Sequence, residues 1–278
     1  MKKLLSVFIL IVIPLSLNAM QEVRGLVEDL STGEPIPFVN IGIIKLSSGT
    51  VSDESGNFRL NYKDESDRIT FSAIGYEVRD ITVRELKDEA VVRMSPVVYD
   101  LEEVGVEARG YDDPKNLGHV LRSRGQSIGF GTTMLGTEIG GLIRIDRETV
   151  INSAHFTVNH INKAPLLLRV NLYEFTEEKT GRNLLPENVI IEAPSEPGLI
   201  NVDLTKYNLS TDQDVLLTLE WIKGVKVEGT QGITFRARNV RRRSNVWFRS
   251  ASLAPFMNFE NIVEMQIGFY LKVQQIRR

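Results

Sequence analysis

The chain of 278 residues contains no cysteine. Disulfides and thiolate metal sites are therefore excluded, and so is lipid attachment at a cysteine behind a leader. Whatever holds the folded chain must be apolar cores. Histidine is almost as scarce, at three: His119, His155 and His160. If the segment around residues 156–159 is a strand, His155 and His160 point to opposite faces, because side chains repeat every two residues. They then cannot share a zinc ion, which needs three or four converging ligands. The sequence has no His-Glu-x-x-His, no Gly-x-Ser-x-Gly and no phosphate loop, since Gly129-Phe130-Gly131 and Gly140-Gly141 lack the following Lys-Ser/Thr. No metal or cofactor is expected, and the reading leans away from an enzyme. Excess positive charge is missing as well. With 33 basic and 36 acidic residues the formal charge is −3, which gives no reason to expect nucleic acid.

Long apolar runs are confined to the start. Lys2 and Lys3 precede the run Leu4–Leu17, and Ala19 offers a small residue for cleavage. Residues 1–19 have the pattern of a secretory signal peptide, too short for a comfortable bilayer span. The expected address is outside the cytoplasm: periplasm, outer-membrane surface or extracellular space. No later stretch is long and apolar enough to cross a membrane as a helix.

What the sequence does have is alternation. Asp53, Ser55, Gly56 and Asn57 form a turn, and Phe58, Leu60 and Tyr62 then alternate with Arg59, Asn61 and Lys63. Val39, Ile41 and Ile43 share a face upstream. Ile69, Phe71 and Ala73 do so downstream, followed by Val78, Ile81 and Val83. Short strands between turn signals predict a small β-sandwich over residues 21–107. The segments Val23-Arg24-Gly25-Leu26-Val27, Glu34-Pro35-Ile36-Pro37-Phe38-Val39-Asn40-Ile41, Ser52-Asp53-Glu54-Ser55-Gly56-Asn57-Phe58 and Ile74-Gly75-Tyr76 stand in the order and spacing of the carboxypeptidase-like regulatory domain. The resemblance implies a transthyretin-type sandwich, found as an accessory domain of metallocarboxypeptidases and as an N-terminal extension of TonB-dependent receptors of Bacteroidetes. Leu101-Glu102-Glu103-Val104-Gly105-Val106 resembles the segment on the C-terminal side of the domain in those receptors. The domain is not itself catalytic, so the resemblance implies a fold and an envelope setting, and no chemistry.

Residues 108–127 are polar and turn-rich, and are expected to be a linker with a short helix within Asn116–Arg124. From residue 128 to 278 alternation resumes. Leu166 to Phe175 is apolar on both faces except at Arg169 and Asn171, which suits a central strand. Val215, Leu217, Leu219 and Trp221 share a face, as do Met265, Ile267, Phe269, Leu271 and Val273. About nine strands with long loops predict a jelly-roll-like sandwich, and the whole chain is expected to be all-β.

Candidate binding groups are few. Arg236, Arg238, Arg241, Arg242 and Arg243 form the densest basic cluster, suited to phosphates or acidic glycans, or else simply a solvated loop. Of the two tryptophans, Trp221 continues an apolar face, whereas Trp247 alternates with Val246 and Phe248 and is placed either to stack on a sugar or to pack inward. Glu174, Glu177, Glu178 and Glu220 are possible paired acids for glycoside hydrolysis, but acids at strand ends are more often solvated. The expectation is a non-enzymatic envelope protein with a binding or scaffolding role and an envelope protein or glycan as partner. A carbohydrate-binding module or adhesin is the second reading, and a hydrolase the third.

Overall fold

The computed structural model describes residues 20–97, 110–122, 125–130, 135–162, 166–224, 232–241, 244–259 and 264–277. The proposed leader, the segment 101–106, Arg242 and Arg243 lie outside the described residues. Two β-sandwiches succeed each other along the chain.

The first is built from β1 (Gln21–Asp29), β2 (Asn40–Ile43), β3 (Ser48–Val51), β4 (Asn57–Tyr62), β5 (Arg68–Ser72), β6 (Arg79–Thr82), helix α1 (Val83–Asp88) and β7 (Val91–Met94). One sheet has the order β4-β1-β7, the other β3-β2-β5-β6. The turn before β4 forms as its residues dictate. Asp53 Oδ1 accepts from the amides of Ser55 and Asn57, both at 2.9 Å, and Gly56 has φ 74°. Phe58, Leu60 and Tyr62 then point inward to Val27, Ile41, Ile69 and Phe71. The run expected to carry Ile81 and Val83 as one strand instead ends at Thr82. Thr82 and Glu85 make a capping box that starts α1, and Val83 and Leu86 are buried from the helix.

The second sandwich comprises β8 (Lys115–Gly118), β9 (Gln126–Phe130), β10 (Glu138–Ile143), β11 (Thr149–Asn162), β12 (Leu166–Thr176), β13 (Lys179–Asn183), β14 (Val189–Glu192), β15 (Leu199–Asp203), β16 (Ser210–Thr211), β17 (Val215–Gly224), β18 (Gly232–Asn239), β19 (Val246–Arg249), β20 (Met257–Asn258), β21 (Met265–Ile267) and β22 (Phe269–Gln275). The front sheet has the order β13-β12-β17-β10-β19-β20, with β14 also on β12. The back sheet has the order β21-β18-β11-β22-β8, with β15 and β16 on β11 and β9 on β18. The chain passes back and forth between the sheets, the crossing pattern of a jelly-roll-like sandwich. The expected short helix is replaced by β8, which pairs with β22 from Lys115 to Gly118. The polar 110–118 stretch thus belongs to the second sandwich. Its backbone bonds go to a neighbouring strand because β22 offers a free edge there.

Leu168, Val170 and Leu172 of β12 and Leu217, Leu219 and Trp221 of β17 face inward. They meet Phe156, Phe235 and Phe269 of the back sheet, which stack edge-to-face at 4.8 and 4.9 Å. Each such side chain contributes about 1.5–3 kcal/mol through burial. With no cysteine to cross-link the chain, this core carries the second sandwich.

The two sandwiches are packed against each other. Phe38 and Val51 of the first join Ile222, Leu135, Leu167 and Ile190 of the second in one apolar cluster. Lys223 pairs with Glu54 at 2.8 Å across the junction. Beside it the loop after β19 lies on the β2–β3 hairpin at backbone distance. A Cβ on Gly49 would stand 2.4 Å from the Ser252 carbonyl oxygen, and one on Gly42 would stand 2.7 Å from it. Only glycine permits this approach.

Gly49→Ala is therefore expected to lower stability by about 1–3 kcal/mol in urea unfolding, the range for forced overpacking. Gly198→Ala, where nothing lies within 4 Å, should change it by less than about 0.5 kcal/mol. Equal effects would contradict the close contact at Ser252.

Candidate functional site

The outward face of the front sheet should be polar and wet, since its inward face is the core. Part of it is polar, but that part is buried. Arg169 and Asn171 on β12, Thr218 and Glu220 on β17, Glu138 on β10 and Arg249 on β19 all project from it. The side chains of Glu138 and Glu220 are 0% exposed, Arg169 3% and Arg249 8%. Strand register explains how they meet. Glu138 is directly opposite Glu220 on one side and opposite Arg249 on the other, and Glu220 is opposite Arg169.

Two carboxylates and two guanidinium groups thus form a neutral quartet. Arg169 donates from Nε and Nη2 to Glu220 Oε2 at 2.9 and 2.8 Å. Arg249 Nη2 forms an ion pair with Glu138 Oε2 and lies 3.8 Å from Glu220 Oε1. Asn171 Nδ2 donates to both acids, at 2.9 and 3.1 Å, and the Thr218 hydroxyl donates to Glu138. Burial of this kind is costly unless every charge is matched, and here each acid has its arginine.

Arg169 also reaches out of its own sandwich. Its Nη1 donates to the Phe38 carbonyl at 2.7 Å, and its Nη2 donates to Asn40 Oδ1. Phe38 has φ 58°, a left-handed backbone that costs a bulky residue about 1–3 kcal/mol. The strained carbonyl and the buried guanidinium therefore meet at the junction. A further donation to Asn188 Oδ1 at 3.0 Å fixes the guanidinium from the side.

Beside this junction a cleft of about 650 Å³ opens between the sandwiches. Asn40, Ser72 and Val78 line one wall, and Asn171, Tyr173 and Arg182 the other. Asn171 on the second wall bonds both acids, neither of which lines the cleft. Burial pushes the Glu138 carboxyl above the usual carboxylate range, with Arg249 opposing and Glu220 reinforcing the rise. Burial, and then the charge on Glu138, raise the Tyr173 phenol, so it stays a neutral hydroxyl. Burial lowers the Arg249 guanidinium, but Glu138, Tyr173 and Glu220 outweigh it, so Arg249 stays charged. Paired acids of this sort could serve general acid and base roles if they met a substrate. Here their oxygens face Arg169, Arg249, Asn171 and Thr218, and the arrangement is suited to holding two bodies together.

Residues 23–106 match the family model of the CarboxypepD_reg-like domain. The N-terminal sandwich is a carboxypeptidase-regulatory-like domain. The chain is also 30% identical to the TonB-dependent receptor SusC of Bacteroides thetaiotaomicron, over 48% of this chain and 14% of that receptor. It therefore spans only a small part of that relative's length. Among solved structures, the cysteine protease and lectin-like domains of Cwp84 from Clostridium difficile align with 83% of this chain and 46% of that one, at 9% identity and a TM-score of 0.42. A structure of infectious bursal disease virus Gt strain aligns at 10% identity and a TM-score of 0.27, over 92% of this chain and 59% of that one. At these scores neither defines the fold or the function of this chain.

The regulatory-like domain contributes Asn40 and Ser72 to the cleft and the Phe38 carbonyl to Arg169 beside it, all from stretches with no catalytic vocabulary. Of the acids weighed from sequence, Glu174 pairs with Arg182 at 2.8 Å, and Glu177 and Glu178 are exposed in a turn. Glu220, expected to be solvated with them, is instead buried, because β17 is central and its outer face is covered. Trp247 is 5% exposed and packs edge-to-face on Phe175 at 4.8 Å. An open stacking platform is thus not what its ring provides; the aromatic neighbours on the outer face close over it. Arg241 is exposed just past the end of β18. His155 stacks on Tyr270 at 4.4 Å, while His160 is exposed further along the same strand. Glu138, Arg169, Asn171 and Arg249 belong to no motif that marks them as site residues. Arg169 and Asn171 do stand out as interruptions in an apolar run, and a charge in a central strand is the signal that could have found the network.

The sign of the Glu138 shift gives a test. A carboxyl raised on folding binds its proton more tightly in the native state, so stability falls as pH rises from the unfolded value, 4.5, toward the folded one. Glu138→Gln has no such proton. Its urea midpoint should gain on wild type as pH is raised from 4 to 7. A wild type that gains on Glu138→Gln over that window would show that Arg249 outweighs burial.

Proposed function

We propose that the chain is a non-enzymatic envelope protein with a binding or scaffolding role, in which the regulatory-like domain is fixed to the second sandwich and the two present one composite surface. The observation that carries this reading is Arg169, which holds Glu220 on its own sheet and the Phe38 carbonyl and Asn40 of the other domain at once. An accessory domain on a free tether would need no such buried charge. The similarity to a TonB-dependent receptor supports an envelope setting, and the leader pattern of residues 1–19 supports export. The composite cleft, with Ser72 on one wall and Tyr173 on the other, is the surface on which a partner protein of the envelope would register both domains together.

A second reading, glycan binding, is favoured by one feature. A groove of about 600 Å³ is walled by Phe248, Phe256 and Phe259, and Trp247 lies at its base with Nε1 buried and unpartnered. Apolar ring faces of this kind suit a sugar ring.

The test is a photoreactive amino acid at Ser72, cross-linked in living cells. Wild type is expected to give an adduct with one envelope protein, and Arg169→Met, which removes the tie between the domains, should lose it. The same substitution at Arg59, exposed on β4 and outside the lining of the cleft, should give none. An adduct that survives Arg169→Met would refute the composite surface. Turnover of an envelope substrate by purified protein, abolished by a single acid or histidine substitution, would refute the non-enzymatic role.

A further inference from the structure

The basic residues of β18 do not stand alone. Arg236 and Arg238 sit two apart on β18, so both project from the same, outward face of the back sheet. The segment after β8 crosses that face. Arg236 Nη1 donates to the Arg122 carbonyl, which brings two basic stretches more than a hundred residues apart in sequence to one place. Arg122, Gln126, Arg238 and Asn239 line the resulting groove, of about 560 Å³. Among the described residues, none that lines it is acidic. His119 registers the field: burial, and then the Arg238 charge, lower its pKa, so it adds no proton of its own at neutral pH.

The donors are open. Arg238 uses Nε and Nη2 on Gln266 Oε1, at 2.9 and 2.7 Å, which is a neutral acceptor and leaves the charge unmatched. Arg169 and Arg249 each face a carboxylate, whereas the partner of Arg238 is a neutral amide. The two guanidinium groups on the groove, Arg122 and Arg238, exceed what a single carboxylate would neutralise. A phosphate monoester, with nearly two charges at neutral pH and three acceptor oxygens, matches forked donors better. The Gln126 and Asn239 amides beside it suit the hydroxyls of whatever carries the phosphate.

We propose that the groove between the 119–122 segment and β18 binds a phosphate monoester through Arg122 and Arg238, with Arg236 holding the 119–122 segment in place. This site is on the back sheet, and the composite cleft is on the front sheet, so the two readings stand or fall separately. The carrier is either a soluble sugar phosphate or a lipid headgroup, and the experiment separates them.

The full chain is titrated with glucose 6-phosphate and, in a second arm, sedimented with phosphatidylcholine vesicles with and without one-fifth phosphatidic acid, all at low salt. Binding in either arm is expected to fall at least tenfold in Arg122→Gln/Arg238→Gln and to be unchanged in Arg59→Gln, an equally exposed arginine on the first domain. Both positions of the double variant are exposed, so its circular dichroism and unfolding midpoint should match wild type. Glucose should not compete. Binding of glucose 6-phosphate assigns a soluble carrier, and binding only of phosphatidic acid vesicles assigns a lipid. An equal loss in Arg59→Gln would show net charge alone at work and overturn the site, as would no binding in either arm.

Discussion

A charge buried at a junction between two domains must be answered from both sides, and Arg169 is the group on which that condition falls. Its guanidinium is rigid, planar and permanently charged, with donors in a fixed fork. One set of donors is taken by Glu220 within the sheet, and the rest by the Phe38 carbonyl, Asn40 and Asn188. Lysine could not span that set. Because the fork has one geometry, the domains have one pose in which every donor is satisfied.

The quartet is better understood as a specifier than as a source of stability. Buried ion pairs roughly repay their own desolvation, whereas removing one partner costs about 3–5 kcal/mol. Net cohesion at the junction comes from the apolar cluster of Phe38, Val51 and Ile222 and from the close contact of Gly42 and Gly49 on the Ser252 loop. The charges decide which of many greasy contacts is the right one. The strain stored in the Phe38 backbone is tolerated because packing and the Arg169 bond hold it from opposite sides.

Much of the fold was legible in the sequence because alternation reports burial directly. Phe58, Leu60 and Tyr62, and Val215, Leu217, Leu219 and Trp221, lie inward as their spacing requires. The regulatory-like domain was legible from its turn motifs. Three features were not. The helix at Val83 was hidden by β-branched and apolar residues that suit a strand as well, although Thr82 and Glu85 carried the capping signature. The strand at Lys115–Gly118 has no apolar alternation, because an edge strand is held by its neighbour's backbone. Glu138, Glu220 and Arg249 are buried because side chains distant in sequence, Tyr173 and Phe256 among them, close over a sheet face, and no local pattern records that. Alternation predicts which residues share a face, not whether that face meets water.

The central claim is that the two sandwiches behave as one body, cohering through the apolar junction and fixed in one pose by Arg169, without which Glu220 is buried unpaired. Differential scanning calorimetry of the full chain tests it most directly. Wild type is predicted to unfold in one cooperative transition, with calorimetric and van't Hoff enthalpies equal, and Arg169→Met to separate it into two. Two independent transitions in the wild type would contradict the account.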